Sequence, residues 1–409
     1  MTTPHPVPVR LAAPLPLPSG AVLPNRIAKA ALSERLGGPD GGPSDALMRL
    51  WDGWAGSGAG LLLTGNVMVE RAHVAERGNV VVDAETDGAA LAAWARRAKA
   101  GGSAVWMQMN HPGRQAPRMA DAAPVAPSAV AMTIGYGAFA RPRALEDPEI
   151  HAIVAAFGTA AARAAAAGFD GVQIHAAHGY LANQFLSPRT NLRTDAWGGD
   201  AVGRRRFLRE VLRAVRTAVG PGFPVGIKLN SADFQRGGFE EDESLDVVRM
   251  VVDEGIDLLE ISGGTYEAPA MFADGPGAVV ASTSAREAYF LAYAEKVRAI
   301  VPVPLMVTGG FRTVAGMESA LGSGAVDVIG LGRPFCVDPG FPAELLAGRQ
   351  DDVPRPKLDT GVKQLDAMVQ GGWYLAQLHR MGGGARPDLG MWRARAVWQY
   401  LASGGPARG

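Results

Sequence analysis

The sequence predicts an α/β protein folded as a (β/α)8 TIM barrel. Three observations carry that prediction: eight short apolar runs of strand character, a helix-like segment behind each, and polar or glycine-rich residues at every strand-to-helix junction. The runs cover residues 27–32, 61–64, 104–109, 171–174, 225–229, 258–261, 305–307 and 326–331. Eight strands are more than a doubly wound sheet ordinarily holds.

The helical segments declare themselves by cap and period. Ser44 is an N-cap residue followed by Leu47, Leu50, Trp51 and Trp54 at helical spacing, with Gly56 and Gly58 as a stop. Asp147, Pro148 and Glu149 supply an N-cap, a first-turn proline and an acid for the helix after strand three, and Gly168 ends it. Two stretches fall outside the repeat. Residues 115–146 carry prolines and no helical period, which predicts a long excursion over the barrel mouth, with Tyr136 and Phe139 lining a ligand site. Residues 351–409 contain Trp373, Tyr374, Trp392 and Trp398 and read as a helical extension of the barrel of residues 1–350, packing on it or on a partner subunit. Plain packing is the expected role of those aromatics.

The 409 residues balance 40 basic against 40 acidic side chains, and 47% are hydrophobic. That excludes a disordered chain, and with no basic excess nucleic acid is not an expected partner. Cys336 is the only cysteine, which rules out an intrachain disulfide and a multi-cysteine metal or iron–sulfur site and suits a reducing compartment. Pro4, Pro6, Pro8, Pro14, Pro16 and Pro18 would break a signal helix, and the longest uncharged stretch, residues 122–140, is interrupted by proline and glycine. The expectation is a soluble, cytoplasmic protein acting on a small molecule, with no membrane partner.

In such a barrel the active site is built from residues that end the strands. Thr308-Gly309-Gly310 after strand seven and Gly332-Arg333 after strand eight offer bare backbone N–H groups and a guanidinium, the place where barrels hold a phosphate. Behind strand four stand His175, His178 and Tyr180. Their spacing lacks the helical logic of HExxH and a third ligand, so no metal is expected. Two neutral imidazoles instead offer hydrogen bonds to one oxygen that gains negative charge, and a phenol with a pKa of about 10 keeps a proton to give. No G-x-G-x-x-G follows a strand, so in a redox reading a flavin mononucleotide held by its phosphate suits the chain better than a Rossmann-bound dinucleotide.

Several motifs run in one order: Leu23-Pro24-Asn25-Arg26-Ile27, Gln108-Met109-Asn110-His111-Pro112-Gly113-Arg114, His175 through Leu181, Phe185-Leu186-Ser187-Pro188, Asn191-Leu192-Arg193-Thr194-Asp195 with Trp197-Gly198-Gly199, and Gly332-Arg333. Through them the chain resembles, over about residues 10 to 345, the old yellow enzyme family of FMN-dependent (β/α)8-barrel oxidoreductases. The resemblance implies FMN across the barrel mouth, with its phosphate at Gly309, Gly310, Gly332 and Arg333 and its pyrimidine edge on Gln108. Ser33 takes the place near N5 and O4 where relatives have Thr or Cys, and Asn66 joins the flavin contacts. Lys228 stands where relatives usually have Arg near N1 and O2. It keeps the charge and loses the planar fork. With one cysteine, the branch carrying an iron–sulfur cluster is excluded.

The resemblance further implies that NADPH or NADH reduces the flavin. An activated alkene, an α,β-unsaturated carbonyl or nitro compound, then binds with its oxygen between His175 and His178, taking hydride from N5 and a proton from Tyr180. Other readings stay open: a flavin-dependent oxidase or demethylase of an amine-bearing substrate, a flavin-free phosphate-sugar isomerase or aldolase, and a binding protein with a dead site. By analogy with such barrels a homo-oligomer is expected.

Overall fold

The computed structural model describes residues 9–134, 137–267, 283–356, 358 and 363–402. At its centre a closed parallel barrel is formed by β1 (Ile27–Lys29), β2 (Leu61–Leu63), β3 (Ala104–Asn110), β4 (Gly171–Ala176), β5 (Val225–Asn230), β6 (Leu258–Ser262), β7 (Leu305–Thr308) and β8 (Val328–Leu331). Each strand pairs with its neighbours in chain order, and β8 pairs with β1 to close the ring. All eight predicted runs are strands. The largest difference is at β1, which ends three residues early: the Ala30 N–H still donates to Leu331 O at 2.9 Å, and Ala31 and Leu32 lie past the ladder.

The helices α1 (Asp45–Ala55), α2 (Gly88–Ala98), α3 (Asp147–Ala166), α4 (Ala201–Val219), α5 (Glu241–Asp253), α6 (Thr283–Arg298), α7 (Val314–Gly322) and α8 (Phe341–Leu346) follow the strands in turn. Ser44 caps α1, its Oγ accepting the Leu47 N–H at 3.2 Å, and Leu47, Leu50, Trp51 and Trp54 face the barrel fully buried. The cap of α3 lies one residue before the expected one. Glu146 is the N-cap, its N–H donating to the Glu149 carboxylate at 2.8 Å, and Asp147 joins Pro148 in the first turn.

Inside the barrel, strand geometry puts every second side chain on the axis. The lower interior is apolar. Leu15, Leu17 and Leu23, from a small antiparallel pairing of Leu15–Pro16 with Val22–Leu23, pack with Ala28, Ala30, Leu61, Leu63, Trp106, Leu258, Met306 and Val328. Trp106 fills the axis because two neighbouring strands carry glycine at its level: a Cβ at Gly171 or Gly226 would lie 2.7 or 2.9 Å from the indole. Two residues further along the same strands the inward positions hold Gln108, Gln173, Lys228, Glu260 and Thr308. The barrel therefore changes from hydrocarbon to a polar layer over one side-chain repeat.

After β3 the excursion is tied by a parallel pairing of Val125–Ala126 with Arg143–Ala144 and by a bridge between Pro117 and Phe139; Tyr136 lies outside the described residues. Past α8, α9 (Lys363–Gly382) packs on α1, where Arg49 Nε donates to Gly382 O at 2.7 Å, and on α10 (Arg393–Ala402). Trp373 is buried in this contact. Within this single chain Trp392 and Trp398 are 77% and 68% exposed: α10 meets its neighbours through Ala396 and leaves those two rings outside. No described helix is long and apolar enough to cross a membrane.

Candidate active site

His175 is the penultimate residue of β4 and lies in register with Lys228 on β5. The Ala177 N–H donates to its Nδ1 at 3.3 Å, which leaves the proton of the neutral ring on Nε2. Among the described residues no acceptor takes that N–H. His178 sits at φ +63°, a conformation costing a non-glycine residue about 1 kcal/mol or more. It is held there by its N–H on Asn230 Oδ1 (3.2 Å), by Gln115 Nε2 donating to its carbonyl (2.8 Å) and by a bridge to Thr265. The turn stands the two imidazoles edge to face, centroids 5.0 Å apart, and Tyr180 meets His175 in the same way at 4.8 Å. The three groups predicted from one loop thus sit together.

Burial, reinforced by the Lys228 ammonium, holds both histidines well below the usual imidazole range, so they are neutral near pH 7. Burial, with Tyr266 and Glu76 adding to it, holds Tyr180 well above 10, and its hydroxyl lies 3.0 Å from the Tyr266 hydroxyl. One feature departs from the expected pair of equal donors. His178 Nε2 is 2.6 Å from Ser262 Oγ on β6, so His175 is the imidazole with an open N–H.

Beneath them lies the polar layer. Gln108 Nε2 donates to Gln173 Oε1 (2.7 Å), Gln173 Nε2 to Glu260 Oε2 (2.8 Å), and Lys228 Nζ to Glu260 Oε1 (2.7 Å), which also accepts from Thr308 Oγ1 (2.6 Å). Lys228, named from the sequence for its charge near the flavin, is half of a buried ion pair. Glu260 and Gln173 were missed, although a carboxylate inside the apolar run 258–261 was a visible signal. Ser33 is also engaged, its Oγ donating to the Glu76 carboxylate, which takes the Arg35 guanidinium as well. Asn66 turns to Asn79, whose Nδ2 donates to its Oδ1 at 3.4 Å, in a recess lined by Glu34, Gly65 and Gly78. Phe139 is buried against the excursion, bridged to Pro117 two residues past Gln115.

At the other side of the mouth Gly309 and Gly310 both have φ +89°, a region that favours glycine. Gly309 does not offer a bare N–H as expected, because it donates to Gly330 O at 3.0 Å. Arg333 is exposed. Its guanidinium donates to Gln370 Oε1 on α9 (2.9 Å) and lies 5.8 Å from the Tyr374 ring, so the C-terminal helices reach this end of the site.

One other cluster has the composition of a metal site: Glu70, His73 and His111, with ligand atoms within 4.8 Å of one another. Its hydrogen bonds argue otherwise. The Gly113 N–H donates to His111 Nδ1 (3.0 Å), which puts the ring proton on Nε2, and that proton goes to Glu70 Oε1 (2.8 Å). A metal on Nε2 would require the proton on Nδ1, facing the Gly113 N–H. Asp121, 2.6 Å from His73 Nδ1, adds a second, separate hydrogen bond between the loops after β2 and β3.

The donor set suits FMN. A cation and an amide stand in one layer, fit for the oxygens and nitrogens of a pyrimidine edge, and positive-φ glycines beside an exposed arginine end two adjacent strands, fit for a phosphate. The comparisons agree. The family model described as NADH:flavin oxidoreductase / NADH oxidase matches residues 10–352. An NADH-dependent flavin oxidoreductase of Hypocrea jecorina (strain QM6a) is 38% identical over 356 residues, 81% of this chain and 88% of that one. Another, of Neonectria sp. (strain DH2), is 37% identical over 390 residues, 89% of this chain; this chain spans about half, 51%, of its length. The structure of morphinone reductase in complex with tetrahydroNAD matches with a TM-score of 0.68 at 28% identity, covering 85% of this chain and 93% of that one. The chain belongs to the NADH:flavin oxidoreductase / NADH oxidase family, as an FMN-dependent oxidoreductase reduced by NAD(P)H.

Proposed function

We infer that the protein reduces an activated carbon–carbon double bond, conjugated to a carbonyl or nitro group. The observation that carries this reading is the neutral His175, with its proton on Nε2 and no acceptor for it among the described residues, edge to face with a protonated phenol. FMN bound at the mouth supplies the hydride, taken from NAD(P)H. Ser33, Asn66, Gln108 and Lys228 are the residues assigned to its ring, and Gly309, Gly310, Gly332 and Arg333 those assigned to its phosphate.

The chain's own work is then acid–base and electrostatic. His175 donates to the carbonyl or nitro oxygen, which becomes more basic as hydride reaches the β-carbon, so the bond strengthens toward the transition state. With the Ser262 hydroxyl donating to His178 Nε2, the ring proton of His178 sits on Nδ1, and from there it donates to the same oxygen. Tyr180 gives its proton to the α-carbon, and the Tyr266 hydroxyl at 3.0 Å is placed to help replace it. Phe139, and Tyr136 with it, are assigned to the substrate side.

Tyr180→Phe tests the reading. In anaerobic rapid-mixing experiments flavin reduction by NADH or NADPH should keep its wild-type rate, while reoxidation by cyclohexenone slows by about 10²–10⁴-fold, the usual contribution of a positioned acid. Equal, unchanged rates in both halves would remove Tyr180 from the chemistry. Peroxide formed from an amine-bearing substrate without nicotinamide would replace alkene reduction by oxidase chemistry.

A further inference from the structure

One fully buried polar group of the barrel interior is not used by the reaction above. Glu260 on β6 has a fully buried side chain and three partners: Lys228 Nζ at 2.7 Å and Thr308 Oγ1 at 2.6 Å on Oε1, and Gln173 Nε2 at 2.8 Å on Oε2. An ionised carboxylate only accepts hydrogen bonds, so it dictates the direction of every bond beyond it. Gln173 must turn its NH2 to Glu260 and its oxygen to Gln108. Gln108 in turn spends an N–H on that oxygen, at 2.7 Å, and turns Oε1 to the opposite side of its amide. The charge on one carboxylate thus fixes which way round Gln108 faces a ligand, leaving Oε1 as an acceptor suited to a ring N–H beside the second N–H of Nε2.

The same carboxylate answers the charge of Lys228. Register between β5 and β6 places Lys228 directly beside Glu260, so the ammonium enters the polar layer already paired. We propose that Glu260 is a positioning residue of the flavin site, which orients Lys228 and the Gln173–Gln108 amides as one unit and offsets the pull of Lys228 on electrons entering the flavin. This rests on the FMN assignment of Lys228 and Gln108 above. A lone ammonium beside a group that gains negative charge favours its reduced form; a carboxylate 2.7 Å from that ammonium works against it.

The test is the midpoint potential of protein-bound FMN, measured by anaerobic dye-linked titration in the wild type, E260Q, K228Q and K228Q/E260Q. E260Q should shift the equilibrium between oxidised and reduced flavin toward reduced by tenfold or more, about 30 mV for a two-electron couple. K228Q should shift it the other way, and the double variant should return close to the wild type, because the opposed charges leave together. Should E260Q fail to fold with Lys228 unpaired, the step from K228Q to K228Q/E260Q still reads the Glu260 charge and must also run toward the reduced form. A potential unmoved by E260Q in either background overturns the proposal. A wild-type protein that neither carries FMN nor takes it up overturns the underlying assignment instead.

Discussion

The lower and upper halves of the barrel interior are built on the same strands, two residues apart, and obey opposite rules. Below, Trp106 is accommodated by absent side chains at Gly171 and Gly226 and surrounded by aliphatic groups, so its energetics are those of volume. Above, Gln108, Gln173, Lys228, Glu260 and Thr308 satisfy one another by directed bonds, so theirs are those of charge and donor–acceptor matching. The lower half fixes the frame, and the upper half carries the groups proposed to hold the flavin.

If that division holds, substitutions in the two halves should fail in different currencies. Trp106→Ala, the largest effect, should lower stability by about 3–5 kcal/mol in denaturant unfolding, from the cavity it leaves, while the protein that remains folded keeps its flavin chemistry. His175→Ala should do the reverse: unfolding little changed, and alkene reduction down by about 10²–10³-fold for the loss of one oxyanion donor. Gly226→Ala sharpens the contrast at one atom. Its Cβ would meet Trp106 at 2.9 Å and should cost about 1–3 kcal/mol of stability. A Gly226→Ala protein of wild-type stability would mean that the lower half is looser than its packing indicates.

The smallest expected effect belongs to the upper half. His175 and His178 have folded-state pKa values depressed by burial and by Lys228. Below their unfolded pKa of about 6.5 the unfolded chain binds protons that the folded one refuses, so stability is full above that pH and is lost as pH falls. Thermal midpoints should drop between pH 8 and 5.5 more steeply in the wild type than in a His175→Gln, His178→Gln double variant. Equal slopes would show that the two rings are solvated rather than buried.

The comparison also explains what the sequence made legible. The strands were visible because each is a short apolar run, and His175, His178 and Tyr180 because one loop carries all three. What stayed hidden depends on register. Lys228 and Glu260 are 32 positions apart, Ser33 and Glu76 43, His178 and Ser262 84, and nothing local to any of them announces its partner. Residues assigned singly from the sequence, Lys228 and Ser33 above all, proved to be halves of pairs. The commitment of the Gly309 N–H to Gly330 was equally invisible, because it arises only when β7 and β8 lie side by side.

The central claim is that the polar upper half serves a flavin passing hydride from NAD(P)H to an activated alkene. The most direct measurement is an anaerobic visible spectrum of the purified protein, taken before and after NADH or NADPH and again after cyclohexenone. The account predicts yellow flavin bands that bleach with the nicotinamide and return with the enone. A protein that stays colourless after incubation with FMN, or bands that bleach and do not return, would contradict it.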